Sequence, residues 1–243
     1  MVRSVTKLLN MKLVILFTTV LFACSRPSAE PVMLTKPDVV TNAYSFLSLG
    51  DSYTIGESVG ASARWSVQLA GLLREGGIDV ANPDIIAKTG WTTAELQDAI
   101  RNSGNQKTYD LVSLLIGVNN QYRGQSQSRY RTEFRELLQT AIKFAGGKTS
   151  GVFVLSTPDW GASPFAQGRD RSSIANDIDA FNAIAQDECR KLGIAHVDIT
   201  PLSRKASNDV SQFASDGLHY SAKQMRQWAE TALPLAKDLL KKP

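Results

Sequence analysis

The sequence predicts a three-layer α/β/α sandwich around a five-stranded parallel sheet, and two observations carry that expectation. Short apolar runs alternate with amphipathic helical stripes from residue 42 onward, and parallel neighbours need a crossover that a helix supplies. The runs are mostly apolar rather than strictly alternating in polarity, which suits strands covered on both faces. The 243 residues fit one domain, and 43% hydrophobic with 21% charged residues is ordinary for a folded protein.

Strands are expected at residues 44–49, 80–87, 111–116, 152–156 and 194–198. Between them, Trp65, Leu69, Leu72 and Leu73 share a helix face that stops at Gly76-Gly77, a pair suited to a helix C-terminus. A second helix starts at Thr92 or Thr93, whose hydroxyls can cap it. Tyr130, Phe134, Leu137, Leu138 and Ala141 form a third stripe, and Ile174, Ile178, Phe181, Ala185 and Leu192 a fourth. Cys189 lies on that fourth face, which gives it a packing role. Met225, Trp228, Ala229 and Ala232 mark a last helix that Pro234 is expected to kink or end.

The first residues read differently. Arg3, Lys7 and Lys12 precede an uncharged run over residues 13–23, about half a membrane span, which describes a secretory signal peptide at 1–23. Residues 24–41, rich in Pro and Ser, suit a flexible linker, leaving 42–243 as the folded domain. Leu21-Phe22-Ala23-Cys24 resembles the bacterial lipobox, which implies lipidation at Cys24 and an exported, membrane-anchored protein; Ser25 leans towards the outer membrane. A plain secreted protein is the alternative. Most of the formal charge of +4 belongs to this leader, so nucleic-acid binding is not expected.

In parallel sheets ligands gather at the carboxyl ends of the strands. Reading those positions in order gives Gly50-Asp51-Ser52, then Gly90, then Gly117-Val118-Asn119-Asn120, with Asp216-Gly217-Leu218-His219 after the last strand. The chain here resembles the SGNH (GDSL-type) hydrolases, whose four blocks carry Ser, Gly, Asn and His in this order on a flavodoxin-like fold. The resemblance implies a cofactor-free, metal-free serine esterase: Ser52 as nucleophile, His219 as base, Asp216 as its partner. It also implies an oxyanion hole made from the backbone N–H groups of Ser52 and Gly90 and the Asn119 side chain. Two departures stand out: Asn120 replaces the family's usual aspartate, and Tyr220 stands where proline is frequent.

Of the two histidines, His196 falls inside a strand and reads as a satisfied structural residue; His219 lies in a polar loop. Asp51 either assists the site or holds the turn beneath the nucleophile. Trp160 and Trp91 could stack on a sugar ring or simply pack loops onto the body, with Asp159 and Asn120 as further substrate contacts. Arg123, Arg129, Arg131 and Arg135 read as a solvated face that an anionic substrate would also welcome. The expected substrate is a small carboxylic ester, with acetylated carbohydrate favoured. Lysophospholipids, other short lipid or aryl esters and acyl transfer are alternatives, and a non-catalytic binding lipoprotein is the reading from another class.

Overall fold

Five apolar runs pair in parallel to form one sheet in the order β2-β1-β3-β4-β5, in a computed structural model that describes residues 43–241. The signal peptide, the linker and Cys24 lie outside the described residues. The strands are β1 (Phe46–Gly50), β2 (Asp84–Ala87), β3 (Leu111–Leu115), β4 (Val152–Leu155) and β5 (Ala195–Val197). Their hydrogen-bonded register starts from pairs such as Leu47 with Asp84 and Phe46 with Leu111.

The second strand is shorter than the sequence suggests. Val80 makes only an isolated bridge to Tyr44, and regular pairing resumes at Asp84. Pro83 intervenes, and a proline has no N–H to give to a ladder. The strand is an edge, so the interruption is tolerated.

The helices are α1 (Ser52–Ile55), α2 (Trp65–Glu75), α3 (Thr93–Ser103), α4 (Val118–Tyr122), α5 (Gln127–Phe144), α6 (Arg171–Leu192), α7 (Thr200–Lys205) and α8 (Ala222–Lys241). Gly76 closes α2, and Thr92 caps α3 in a reciprocal pair with Glu95. Pro234 does not end the last helix, which continues to Lys241 with Ala232, Ala236, Leu239 and Leu240 buried. One lost backbone hydrogen bond is outweighed there by apolar contacts on both sides of the proline. None of the helices among the described residues is long and apolar enough to cross a membrane.

Alternate strand positions send side chains to opposite faces. Phe46, Leu111 and Phe153 join Trp65 and Leu69 of α2 and Trp228 of α8 in one cluster; Leu47, Val112 and Val154 join Leu96, Phe134 and Leu137 of α3 and α5 in the other. The sheet is therefore sandwiched as predicted. Cys189 is buried in the second cluster, and burial pushes its thiol up to about 12, so it stays a packing residue.

The arginine face of α5 is less solvated than its sequence implies. Arg131 and Arg135 reach across to Glu188 of α6, at 2.5 and 2.6 Å, and Lys191 joins them at 3.0 Å. Glu188 is buried, and these cations hold its carboxyl below the usual range against the opposing effect of burial. Arg129 pairs with Glu133 and Arg123 with Glu95.

Candidate active site

The turn that follows β1 is fixed by exclusion. A Cβ on Gly50 would sit 2.2 Å from Thr54 Oγ1 and 2.4 Å from the Leu115 carbonyl oxygen, so only glycine fits. Asp51 then caps α1, its Oδ1 accepting from the Tyr53 N–H at 3.0 Å. Ser52 becomes the first residue of α1 and faces a cavity of about 180 Å³.

Three more loops reach the same cavity. Gly117 adopts φ +135, and a Cβ there would lie 2.7 Å from Tyr130 Oη; the turn beyond it delivers Asn119 to the cavity wall. The Asn119 amide donates one hydrogen to the Trp91 carbonyl at 3.0 Å, which leaves its second N–H for a ligand. Gly90 adopts φ +86 and its carbonyl accepts from Arg123 Nη2 at 2.5 Å. Among the described residues the Ser52 and Gly90 N–H groups meet no backbone acceptor, as befits donors kept for a bound anion.

The loop before α8 supplies an acid and a base already joined. Asp216 Oδ2 accepts from His219 Nδ1 at 2.6 Å and from Ser58 Oγ at 2.7 Å. Its Oδ1 accepts from the Leu218 and His219 N–H groups, both at 2.9 Å. Burial works to raise this carboxyl, yet the hydrogen bonds outweigh it and hold the group well below the usual carboxylate range. An ionised carboxylate only accepts, so Nδ1 carries the proton, and in the neutral ring Nε2 is then the acceptor. His219 lines the cavity with Ser52, although among the described residues no hydrogen bond joins the two side chains. Such contacts tighten on substrate binding.

The remaining wall is largely apolar: Tyr53, Val118, Tyr122, Trp160, Phe165 and Leu218. Sequence reasoning missed Phe165 and Leu218, which belong to no periodic stripe. A larger cavity of about 400 Å³ opens beside Tyr44, Asp110 and Gly151. It holds none of the residues singled out above, so size alone does not locate the chemistry.

The other sequence candidates separate. Trp160 is 5% exposed and its Nε1 donates to Gln121 Oε1 at 2.8 Å, so it forms wall rather than a free platform. Trp91 packs against the core cluster under α3 and α5. Asp159 is buried, ion-paired with Arg204 at 2.9 Å, and away from the cavity wall. His196 sits on β5 as expected, but its buried Nε2 has no hydrogen-bond partner among the described residues, and burial lowers its affinity for a proton. Among the described residues no group of three His, Cys, Asp or Glu side chains could hold a metal.

Asn120 is buried and serves the scaffold. Its Oδ1 accepts from Thr93 N and its Nδ2 donates to Thr93 Oγ1 at 2.6 Å. The Thr93 hydroxyl proton is already given to Glu133, so an aspartate at 120 would face an oxygen with nothing to donate. Tyr220, 0% exposed, packs between Tyr53 and Trp228, its ring 5.6 Å from the first and 5.0 Å from the second.

Residues 48–227 match the GDSL-like lipase/acylhydrolase family. The chain belongs to that family. As a GDSL-family hydrolase it shares its fold with TesA, at 19% identity over 80% of this chain and 99% of that one, with a TM-score of 0.61. It is similarly close to a lipase/acylhydrolase from Enterococcus faecalis, at 19% identity, 80% and 96% coverage and a TM-score of 0.62. A catalytic mutant of the acetylxylan esterase Axe2 from Geobacillus stearothermophilus matches at 18% identity, 79% and 94% coverage and a TM-score of 0.61. Curated protein sequences include no match.

Asp51 gives this GDSL-family site a testable pH signature. Burial pushes its carboxyl up to about 7, against the lowering effect of the Tyr53 and Asp51 N–H groups, and Oδ2 has no partner among the described residues. In the unfolded chain the group titrates near 3.8. The folded state therefore holds the extra proton between these values, and stability falls as pH rises through that window. Asp51→Asn keeps the acceptor for Tyr53 and removes the charge. Thermal melts at about pH 5 and about pH 8 should show a wild-type loss larger than the variant's by roughly 5 °C; equal losses would refute the buried-acid assignment.

Proposed function

We propose that this GDSL-family hydrolase cleaves short-chain carboxylic esters through an acyl-Ser52 intermediate, with O-acetylated carbohydrate as its substrate. The supporting observation is the convergence of Ser52, the hydrogen-bonded Asp216–His219 pair and a free Asn119 N–H on one cavity of about 180 Å³.

In this reading His219 Nε2 takes the Ser52 proton as Oγ attacks the ester carbonyl, and returns it to the departing alcohol. Asp216 holds the tautomer and stabilises the imidazolium. The Ser52 and Gly90 N–H groups and the Asn119 amide receive the charge that builds on the carbonyl oxygen. Water activated by the same imidazole then releases the acid.

The modest cavity favours a small acyl group, and the exposed rings of Tyr122 and Phe165 offer apolar faces at its mouth. The acetylxylan esterase neighbour fits this substrate class. The leader read in residues 1–23 would place the reaction outside the cytoplasm, with Cys24 as the proposed anchor. Among acetyl, butyryl and octanoyl esters of p-nitrophenol, kcat/KM should drop on the order of 10-fold from first to last, and acetylated xylan should release acetate. A preference for octanoyl would sink the short-acyl reading.

One observation favours a second substrate class. Arg169 is exposed and packs its guanidinium over Phe165 at 4.8 Å and over Trp160 at 5.4 Å, with no carboxylate partner among the described residues. A cation at the mouth of an apolar cavity suits an anionic ester such as a lysophospholipid. Comparing lysophosphatidylglycerol, which carries a net negative charge, with acetylated xylan as competing substrates decides between them.

A further inference from the structure

Ser58 is the one non-glycine residue among the described residues with a left-handed backbone, at φ 65. A side chain there crowds its own carbonyl, so the conformation costs free energy and persists only where the surroundings over-determine it. Ser58 is the third residue of a tight turn, Gly56–Val59, closed by the Val59 N–H donating to the Gly56 carbonyl at 3.2 Å, and a positive φ at that place normally falls to glycine, whose tolerance serine lacks.

What the strained conformation achieves is visible in its contacts. Ser58 Oγ donates to Asp216 Oδ2 at 2.7 Å, the same oxygen that receives His219 Nδ1. Of the four hydrogen bonds on this carboxylate among the described residues, three come from Leu218 and His219, inside the acid's own loop. Only the Ser58 bond arrives from elsewhere in the chain. The preceding residue adds a second tie: Glu57 accepts from the Thr89 hydroxyl, next to Gly90. The Glu57 N–H in turn donates to the Ser52 carbonyl at 3.0 Å. A dipeptide thus touches the nucleophile's segment, the oxyanion loop and the acid.

We infer that Ser58 is a positioning residue for the Asp216–His219 pair, holding the carboxylate in the rotation that faces Nδ1. The inference rests on reading that pair as the catalytic base and its partner. The Asp216 side chain is 34% exposed, so water would otherwise compete for Oδ2 and let the carboxylate turn. Locked by Ser58, it stays aligned when His219 becomes an imidazolium and the attraction between the two is needed most.

Two substitutions separate this role from a structural one. Ser58→Gly relaxes the backbone and deletes the donor, so Tm should stay level or rise while kcat on p-nitrophenyl acetate falls roughly 10- to 100-fold, the worth of a hydrogen bond to a charge. KM should change less than about twofold, because Ser58 does not line the cavity. Ser58→Thr keeps the hydroxyl but places a β-branched residue at positive φ, so Tm should fall while kcat stays near wild type. A glycine variant with wild-type kcat would overturn the inference, as would kcat following Tm downward in both variants. Ser52→Ala serves as the control: if activity survives in it, the reading of the pair fails rather than the role of Ser58.

Discussion

Replacing Ser52 with alanine should lower turnover of p-nitrophenyl acetate by about 10⁴-fold or more, the scale on which serine hydrolases lose activity without their nucleophile. The fold should survive. Ser52 Oγ makes no hydrogen bond among the described residues, and the turn that presents it depends on Gly50 and on the Asp51 cap. A melting temperature within a degree or two of wild type, measured beside the kinetics, separates lost chemistry from lost structure. Residual activity within about tenfold of wild type, far short of the loss that removing a nucleophile causes, would mean that another group attacks the ester.

The second large effect belongs to Asn119. Its alanine variant should lose roughly 100- to 1,000-fold in kcat with little change in KM, because a donor aimed at the oxyanion acts mainly in the transition state. Asn119→Asp is a sharper test. The side chain keeps its shape, but a carboxylate would meet the Trp91 carbonyl where the amide now donates at 3.0 Å, and would present a negative charge to a developing one. It should therefore be no better than alanine. A loss of about tenfold or less in either variant would remove Asn119 from the oxyanion role.

The sequence made some of this architecture plain and hid the rest for definite reasons. Strands buried on both faces announce themselves by unbroken apolar runs, and the stripes on α2, α5 and α6 by their period. Thr92 announced its cap because capping is local chemistry. Pro234 does not end α8 because packing on both sides overrides the local rule, and Pro83 shortened β2 where apolar composition suggested continuity. At the site, Ser52, Asn119 and His219 follow from motif and strand position. Ser58 could not be found that way: its contact with Asp216 spans 158 positions, and a serine between a glutamate and a valine carries no signal. Trp91 and Trp160 looked alike in sequence, yet only Trp160 reaches the cavity, because Trp91 turns inward under α3 and α5.

The strand order has a further consequence. Because β1 lies between β2 and β3, the proposed nucleophile Ser52 and the proposed oxyanion donors Gly90 and Asn119 all stem from three adjacent strands. Trp160 and Phe165, which shape the mouth, hang from the segment after β4. Part of the mouth is thus anchored apart from the turns after β1, β2 and β3, while Asp216 and His219 arrive from the loop before α8. Drift confined to the segment after β4 can retune which esters are accepted without loosening the turns after β1, β2 and β3, a division that lets one scaffold serve many diets.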